Sequence, residues 1–149
     1  HLHSFAAETV SRPDYAGRVL ELVNYEREKT GAEMLSWSEI PASASRLRAD
    51  EAAVSFSHVR PDGRSFYTAF DDTGCHTYMA VGENLAAGQR TPEEVVAAWM
   101  SSDSHRANIL NNDFKELGVS CIDTGDTLIW VQEFYTGRAA PDIIHAELP

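Results

Sequence analysis

Three short segments carry the residues best suited to chemistry: Phe56-Ser57-His58, Gly82-Glu83-Asn84, and Ser104-His105-Arg106-Ala107-Asn108-Ile109-Leu110. Each sets an imidazole or a carboxylate among apolar or small neighbours, where an ionisable group is costly unless it is paired. Two neutral imidazoles suit Zn²⁺ or another divalent metal of similar softness, with water or a carboxylate in the remaining positions. His58 and His105 are therefore the candidate metal ligands, with Glu83 as an optional third. Such binding would weaken below about pH 6.5, where free histidine takes a proton. For Glu83 the preferred reading is a brace that hydrogen-bonds the histidines or backbone amides and fastens strand to helix.

The remaining polar residues read as structural. His76 follows Cys75 in a loop and is expected in solvent, and Glu94 is expected to cap a helix. Asn24 and Asn108 would satisfy buried backbone groups, and Arg27, Arg48 and Glu51 would form ion pairs on or between helices. Trp37, Trp99 and Trp130 read as core. Ser102 and Ser104 lie near His105, but neither sits in a Gly-x-Ser-x-Gly elbow. There is no His-Glu-x-x-His helix, no phosphate loop and no dinucleotide fingerprint, so no nucleotide or organic cofactor is expected.

These residues need elements to position them. Pro13 and Gly31 bracket a helix whose stripe is Tyr15, Val19, Leu22, Val23 and the stem of Glu26. A second helix is expected from about Ser38 to Ser57, with Leu47, Val54, Phe56 and five alanines on its packing face and Pro41 in its first turn. Arg60-Pro61-Asp62-Gly63-Arg64 is a turn, and a short helix follows near Ser65 to Phe70. Met79, Val81, Glu83 and Leu85 share the parity of one strand face, which would aim Glu83 with its apolar neighbours. Thr91-Pro92-Glu93-Glu94 opens a helix that buries Val95, Val96, Trp99 and Met100. Residues 104–110 suggest further helical turns. Residues 116–122 and 127–135 read as strands joined by a hairpin at Asp123-Thr124-Gly125-Asp126. Leu128-Ile129-Trp130-Val131 is continuously apolar, as a strand covered on both faces would be.

With 149 residues the chain is large enough for one domain with a real core. A formal charge of −11 argues against nucleic acid and anionic membranes as main partners, and would draw cations to any acidic rim. No apolar run of about 18 residues exists, so no transmembrane segment is expected. No signal peptide is visible, because His1-Leu2-His3-Ser4 reads as a trimmed start; a removed signal peptide remains compatible with that. Cys75 and Cys121 are either two buried thiols or a disulfide closing a loop of about 47 residues, worth roughly 4 kcal/mol.

In chain order the sequence also carries Leu22-Val23-Asn24-Tyr25-Glu26-Arg27, Leu35-Ser36-Trp37, Phe56-Ser57-His58 and Gly82-Glu83-Asn84-Leu85-Ala86. It continues with Ala98-Trp99-Met100-Ser101-Ser102-Asp103-Ser104-His105-Arg106-Ala107-Asn108-Ile109-Leu110, Leu117-Gly118-Val119 and Trp130-Val131-Gln132-Glu133-Phe134. Together these resemble a bacterial member of the CAP superfamily (SCP/TAPS; cysteine-rich secretory, antigen 5, pathogenesis-related 1). The resemblance implies an α+β fold, an α-β-α sandwich whose small central antiparallel sheet is covered by helices on both faces. By their own pattern residues 1–12 read as an N-terminal arm, 13–136 as the domain and 137–149 as a C-terminal tail. The resemblance also implies a cleft with two histidines and two acids, the histidines falling on His58 and His105 and the first acid on Glu83. The second acid, three residues after the helix tryptophan, is Ser102 here, which puts any two-carboxylate mechanism in doubt. The resemblance thus points to a secreted, extracellular or cell-surface protein, a non-enzymatic binding module for an unknown lipid, glycan or protein ligand. The alternative is a metal-assisted peptidase with Glu83 as general base, helped by His58 and His105.

Overall fold

The computed structural model describes residues 8–138. Residues 1–7 of the expected arm and 139–149 of the expected tail lie outside the described residues. The end of the arm forms a strand: β1 (Val10–Ser11) pairs antiparallel with β4 (Glu116–Asp123). Arg12 adds a backbone bond to the Cys121 carbonyl at 2.8 Å.

Helix α1 (Pro13–Lys29) starts at its proline and stops where Gly31 turns with φ +79°, leaving the Ala32 amide on the Arg27 carbonyl. A side-chain-bearing residue rarely adopts that conformation, so the glycine ends the helix. A two-residue strand, β2 (Ser36–Trp37), pairs parallel with β4. Helix α2 (Glu39–Val54) follows, capped by the Ser38 hydroxyl, and α3 (Thr68–Asp72) closes the loop behind it. Strand β3 (Tyr78–Ala87), helices α4 (Pro92–Met100) and α5 (Asp103–Leu110), and the hairpin of β4 with β5 (Leu128–Gly137) complete the order. The spatial order of the sheet is β1-β4-β5-β3, with β2 beside β4.

Alternation along the strands separates two cores. On one face Leu117, Val119, Cys121, Trp130 and Phe134 meet Val19 and Val23 of α1, Val95 and Trp99 of α4, and Ile109 of α5. On the other, Leu85, Ile122, Ile129 and Val131 meet Ala49 and Ala52 of α2, while Tyr135 packs with Ala44, Ala69 and Phe70. The result is the α-β-α sandwich expected, with helices on both faces of a sheet that is antiparallel apart from the short β2 contact.

The packing face of α2 differs from the expectation. Val54 and Phe56 are 83 % and 53 % exposed, and the buried positions are Pro41, Ala42, Ala44, Ser45, Arg48, Ala49 and Ala52. The reason is close approach: a Cβ on Gly118 of β4 would lie 2.1 Å from the Ala42 backbone nitrogen. At that separation α2 presents alanine and serine to the sheet, and the larger apolar groups at its end are left outside. Trp37 is also exposed rather than core, because β2 lies at the rim of the sheet. Trp99 and Trp130 are buried as expected.

Sheet geometry decides the cysteines as well. Cys121 belongs to the α1 face of β4, whereas Cys75 packs beside Tyr135 on the α2 face. Both are free thiols, so the disulfide reading is replaced by the two-thiol one, and the sheet stands between them.

Candidate functional site

Three consecutive residues of β3 build the site by pointing alternately. Gly82 leaves room for Phe114, whose ring would lie 2.7 Å from a Cβ there. Glu83 faces α2, and Asn84 faces α5.

The Glu83 side chain is completely buried. Arg48 of α2 forks onto it, Nε donating to Oε2 at 2.8 Å and Nη2 to Oε1 at 3.1 Å. His58 reaches the same Oε1 through Nδ1 at 2.8 Å. A carboxylate only accepts, so Nδ1 carries the proton, and a neutral His58 presents a bare Nε2 outward. Burial pushes the Glu83 carboxyl up, but the neighbouring Glu133, His58 and Arg48 outweigh it and leave the group below the usual carboxylate range. This is the bracing role expected for Glu83, with an arginine the sequence did not link to it.

The loop that carries His58 is held from both ends. Arg48 Nη2 donates to the Ser57 carbonyl, and its Nη1 to Glu51 Oε1 at 2.8 Å. Glu51 in turn accepts from Arg60 at 2.9 to 3.1 Å, and Arg60 Nη1 reaches Asp72 of α3 at 2.9 Å. The charges therefore run in alternation from β3 through α2 to α3. Arg48 and Glu51 form the inter-element ion pairs expected of them. Arg27 does not: it is buried and, among the described residues, donates only to backbone carbonyls, those of Glu33, Ile109, Asn111 and Phe114.

Asn84 organises the opposite side. Its Nδ2 donates to the His105 carbonyl at 3.1 Å and to Gln132 Oε1 at 3.0 Å. Asn108 Nδ2 donates to Asn84 Oδ1 at 2.9 Å and to the Glu83 carbonyl at 3.2 Å. These bonds pin α5, and with it His105, to the free edge of β3. Burial, and then repulsion from a protonated neighbouring His58, hold the His105 imidazole below the ordinary histidine value. Trp99 Nε1 donates to the Leu85 carbonyl at 3.1 Å, fastening α4 to the same edge.

His105 lines a groove of about 310 Å³ with Phe56, Leu85, Ala86, Ala87 and Trp99, while Gln89 and Ser102 supply polar atoms. His58 stands nearby, edge-on to Phe66 and 55 % exposed. The carboxylate that braces it lies beneath the surface. Ser102, which occupies the position of the missing acid, precedes α5 and has only Ser104 Oγ at 3.5 Å. His76 is in solvent as expected, and Glu94 accepts from the Arg90 amide at 3.0 Å, next to the Thr91 cap.

The metal reading can be tested on these contacts. Both Glu83 oxygens are already engaged by Arg48 and His58, so Glu83 is not free to serve as a third ligand. Among the described residues, no group of three or more His, Cys, Asp or Glu side chains is placed to hold a metal ion. Of the expected set, the imidazoles of His58 and His105 are left as the candidate donors. The Glu83 carboxylate itself has no surface exposed to the groove.

One acid was missed. Glu133 of β5 lies directly across from Glu83 in the ladder and is completely buried. Its signal was present in the sequence, a Gln-Glu pair interrupting the apolar run from Leu128 to Tyr135.

Residues 20–134 match the family model for CAP, the cysteine-rich secretory protein family. Over 122 residues the chain is 39 % identical to the uncharacterized protein YkwD of Bacillus subtilis (strain 168), covering 80 % of this chain and 46 % of that protein. An extracellular protein containing a SCP domain from Bacillus anthracis superposes with a TM-score of 0.76 at 23 % identity, over 83 % of this chain and 41 % of that one. An outer surface protein of Borrelia burgdorferi gives 0.80 at 18 % identity, over 89 % of this chain and 99 % of that one. The chain thus spans less than half of YkwD and of the Bacillus anthracis protein. Among the described residues no helix is long and apolar enough to cross a membrane. The family match spans most of the chain and the sandwich agrees with it: this protein belongs to the cysteine-rich secretory protein (CAP) family.

Proposed function

We propose that this domain is a non-enzymatic, extracellular binding module whose groove beside His105 takes the apolar part of a lipid-like ligand. The observation that carries the reading is the groove lining: Phe56, Leu85, Ala86, Ala87 and Trp99 offer a mainly apolar surface beside the imidazole. The buried Gln89 Oε1 has no hydrogen-bond partner among the described residues, so a ligand carrying a hydroxyl or amide donor would satisfy it. The half-exposed Phe56 supports an open, accessible mouth. Sequestration of Glu83 under Arg48 and His58 supports binding over hydrolysis. The solved relatives described as an extracellular protein and an outer surface protein support an exported location.

The test is a titration with a fluorescent long-chain alcohol. Saturable binding is expected in the parent, with an affinity loss of about tenfold or more in A98W, which fills the groove from α4. Equal binding by both proteins would remove the groove from the reading.

A further inference from the structure

We propose that Glu133 is kept as a neutral carboxylic acid inside the fold and donates its proton to Glu83, making it the positioning residue beneath His58.

The argument is a count of donors. Glu133 and Glu83 are directly opposed on β5 and β3, and both side chains are completely buried on the α2 side of the sheet. Two carboxylates cannot bond each other, because each only accepts; one must carry a proton. Arg48 is the cation at hand, but none of its nitrogens donates to Glu133. Nε and Nη2 go to Glu83, Nη2 also to the Ser57 carbonyl, and Nη1 to Glu51. Neither Glu133 oxygen has a partner of the ordinary kind among the described residues. An anion without donors at complete burial is the most costly state available to this group. A proton removes that cost and converts the contact into a hydrogen bond.

The assignment between the two acids is equally constrained. Glu83 receives the arginine fork and the His58 Nδ1, both of which favour its charged form. The proton therefore belongs to Glu133. The other groups around it agree. Across β4 stands Gly118, which has no side chain. The neighbours two residues away on β5 are Val131 and Tyr135, and the tyrosine hydroxyl is turned to Cys75 and Thr77, each at 3.5 Å. From α2 come Arg48 and the Glu51 it holds, and from the following loop comes His58, bound to Glu83. Burial, then the charge of Glu83, raises the Glu133 carboxyl well above its ordinary value, in line with the donor count.

The consequence is a fixed hydrogen-bond order: the Glu133 proton to Glu83, and the Glu83 carboxylate to the His58 Nδ1–H. The bare Nε2 of His58 is then set by a group that never touches the cleft.

Infrared spectroscopy of the folded protein in deuterium oxide, with labelled glutamate, tests this. A carboxylic-acid carbonyl band is expected to persist above about pH 5, where ordinary glutamates are ionised, and it should vanish in E133Q. Absence of the band from the parent, or its survival in E133Q, would overturn the proposal. E133Q also places an amide N–H where the proton sits. At or below about pH 4.5 it should keep the parent's thermal midpoint, and it should keep the Nδ1–H tautomer of His58 in nitrogen-15 spectra, whereas E133A should lose stability. E133Q as unstable as E133A, or a changed tautomer in E133Q, would likewise refute it. None of these readouts involves the groove, so they are separate from the test of the ligand reading.

Discussion

Removing the Arg27 guanidinium is the sharpest test of how the site is supported. Arg27 lies in α1, yet its Nη1 donates at 2.7 Å to Ile109 and at 3.0 Å to Asn111, both carbonyls at the end of α5. Its Nε donates to Glu33 at 2.7 Å, and Nη2 makes a longer contact to Phe114 at 3.4 Å. R27M preserves most of the stem and leaves three well-bonded carbonyls without a partner. An unpaired acceptor costs about 1–3 kcal/mol at the buried Ile109 carbonyl and less at the part-buried Glu33 and Asn111 carbonyls, offset in part by no longer burying a charge. The expected net loss is about 3–5 kcal/mol, a large share of a stability of about 5–15 kcal/mol. Guanidinium unfolding would show it as a lower midpoint at unchanged slope. R27K should recover little, since one ammonium cannot reach carbonyls spread over two segments. An ion pair would be screened by salt, whereas this loss should be nearly the same with or without about 1 M sodium chloride. A loss under about 1 kcal/mol, or one that salt erases, would refute the argument.

Further outcomes follow from packing and titration. G118A should cost about 3 kcal/mol or more in unfolding experiments, because its methyl would overlap the α2 backbone. G17A, with nothing within 4 Å of its new methyl, should instead stabilise α1 by about 0.5–1 kcal/mol. A thiol count on denatured, unreduced protein should give two. In the native state the half-buried Cys75 should react first, because burial pushes the Cys121 thiol up to about 12. His105 binds its proton less well folded than unfolded, so its contribution to stability should be full above the ordinary value of 6.5 and lost as pH falls below it. Glu133 has the opposite sign. Raised in the fold, its contribution is full below the ordinary 4.5 and declines as pH climbs toward its folded value. Stability curves of H105Q and E133Q should each flatten on the corresponding side; unchanged slopes would contradict both assignments.

The framework was legible wherever local signals are strong. Pro13 and Gly31 marked α1, Thr91-Pro92 marked α4, and Asp123 to Asp126 marked the hairpin. The alternation in β3 also told which way Glu83 would face. What escaped depended on distances that no local pattern carries. The alanines of α2 face the sheet as expected, whereas the exposure of Val54 and Phe56 follows from α2 lying almost on the backbone of β4. Arg27 reads as a surface cation until α5 is brought against α1. Glu133 acquires meaning only from the strand register, which sets it against Glu83 rather than one residue to either side. Strands β1 and β2, at two residues each, are too short to register as a period.

The outer margin of β3 has a consequence for how copies of this protein behave in crowded solution. A terminal strand ordinarily invites a neighbour's strand to extend the ladder, the first step toward polymer. Here the Glu83 and Leu85 carbonyls that such a visitor would need are already claimed, by the Asn108 amide and the Trp99 indole. The side chains that hold α4 and α5 in place thereby also take up two of the acceptors that an incoming strand would use.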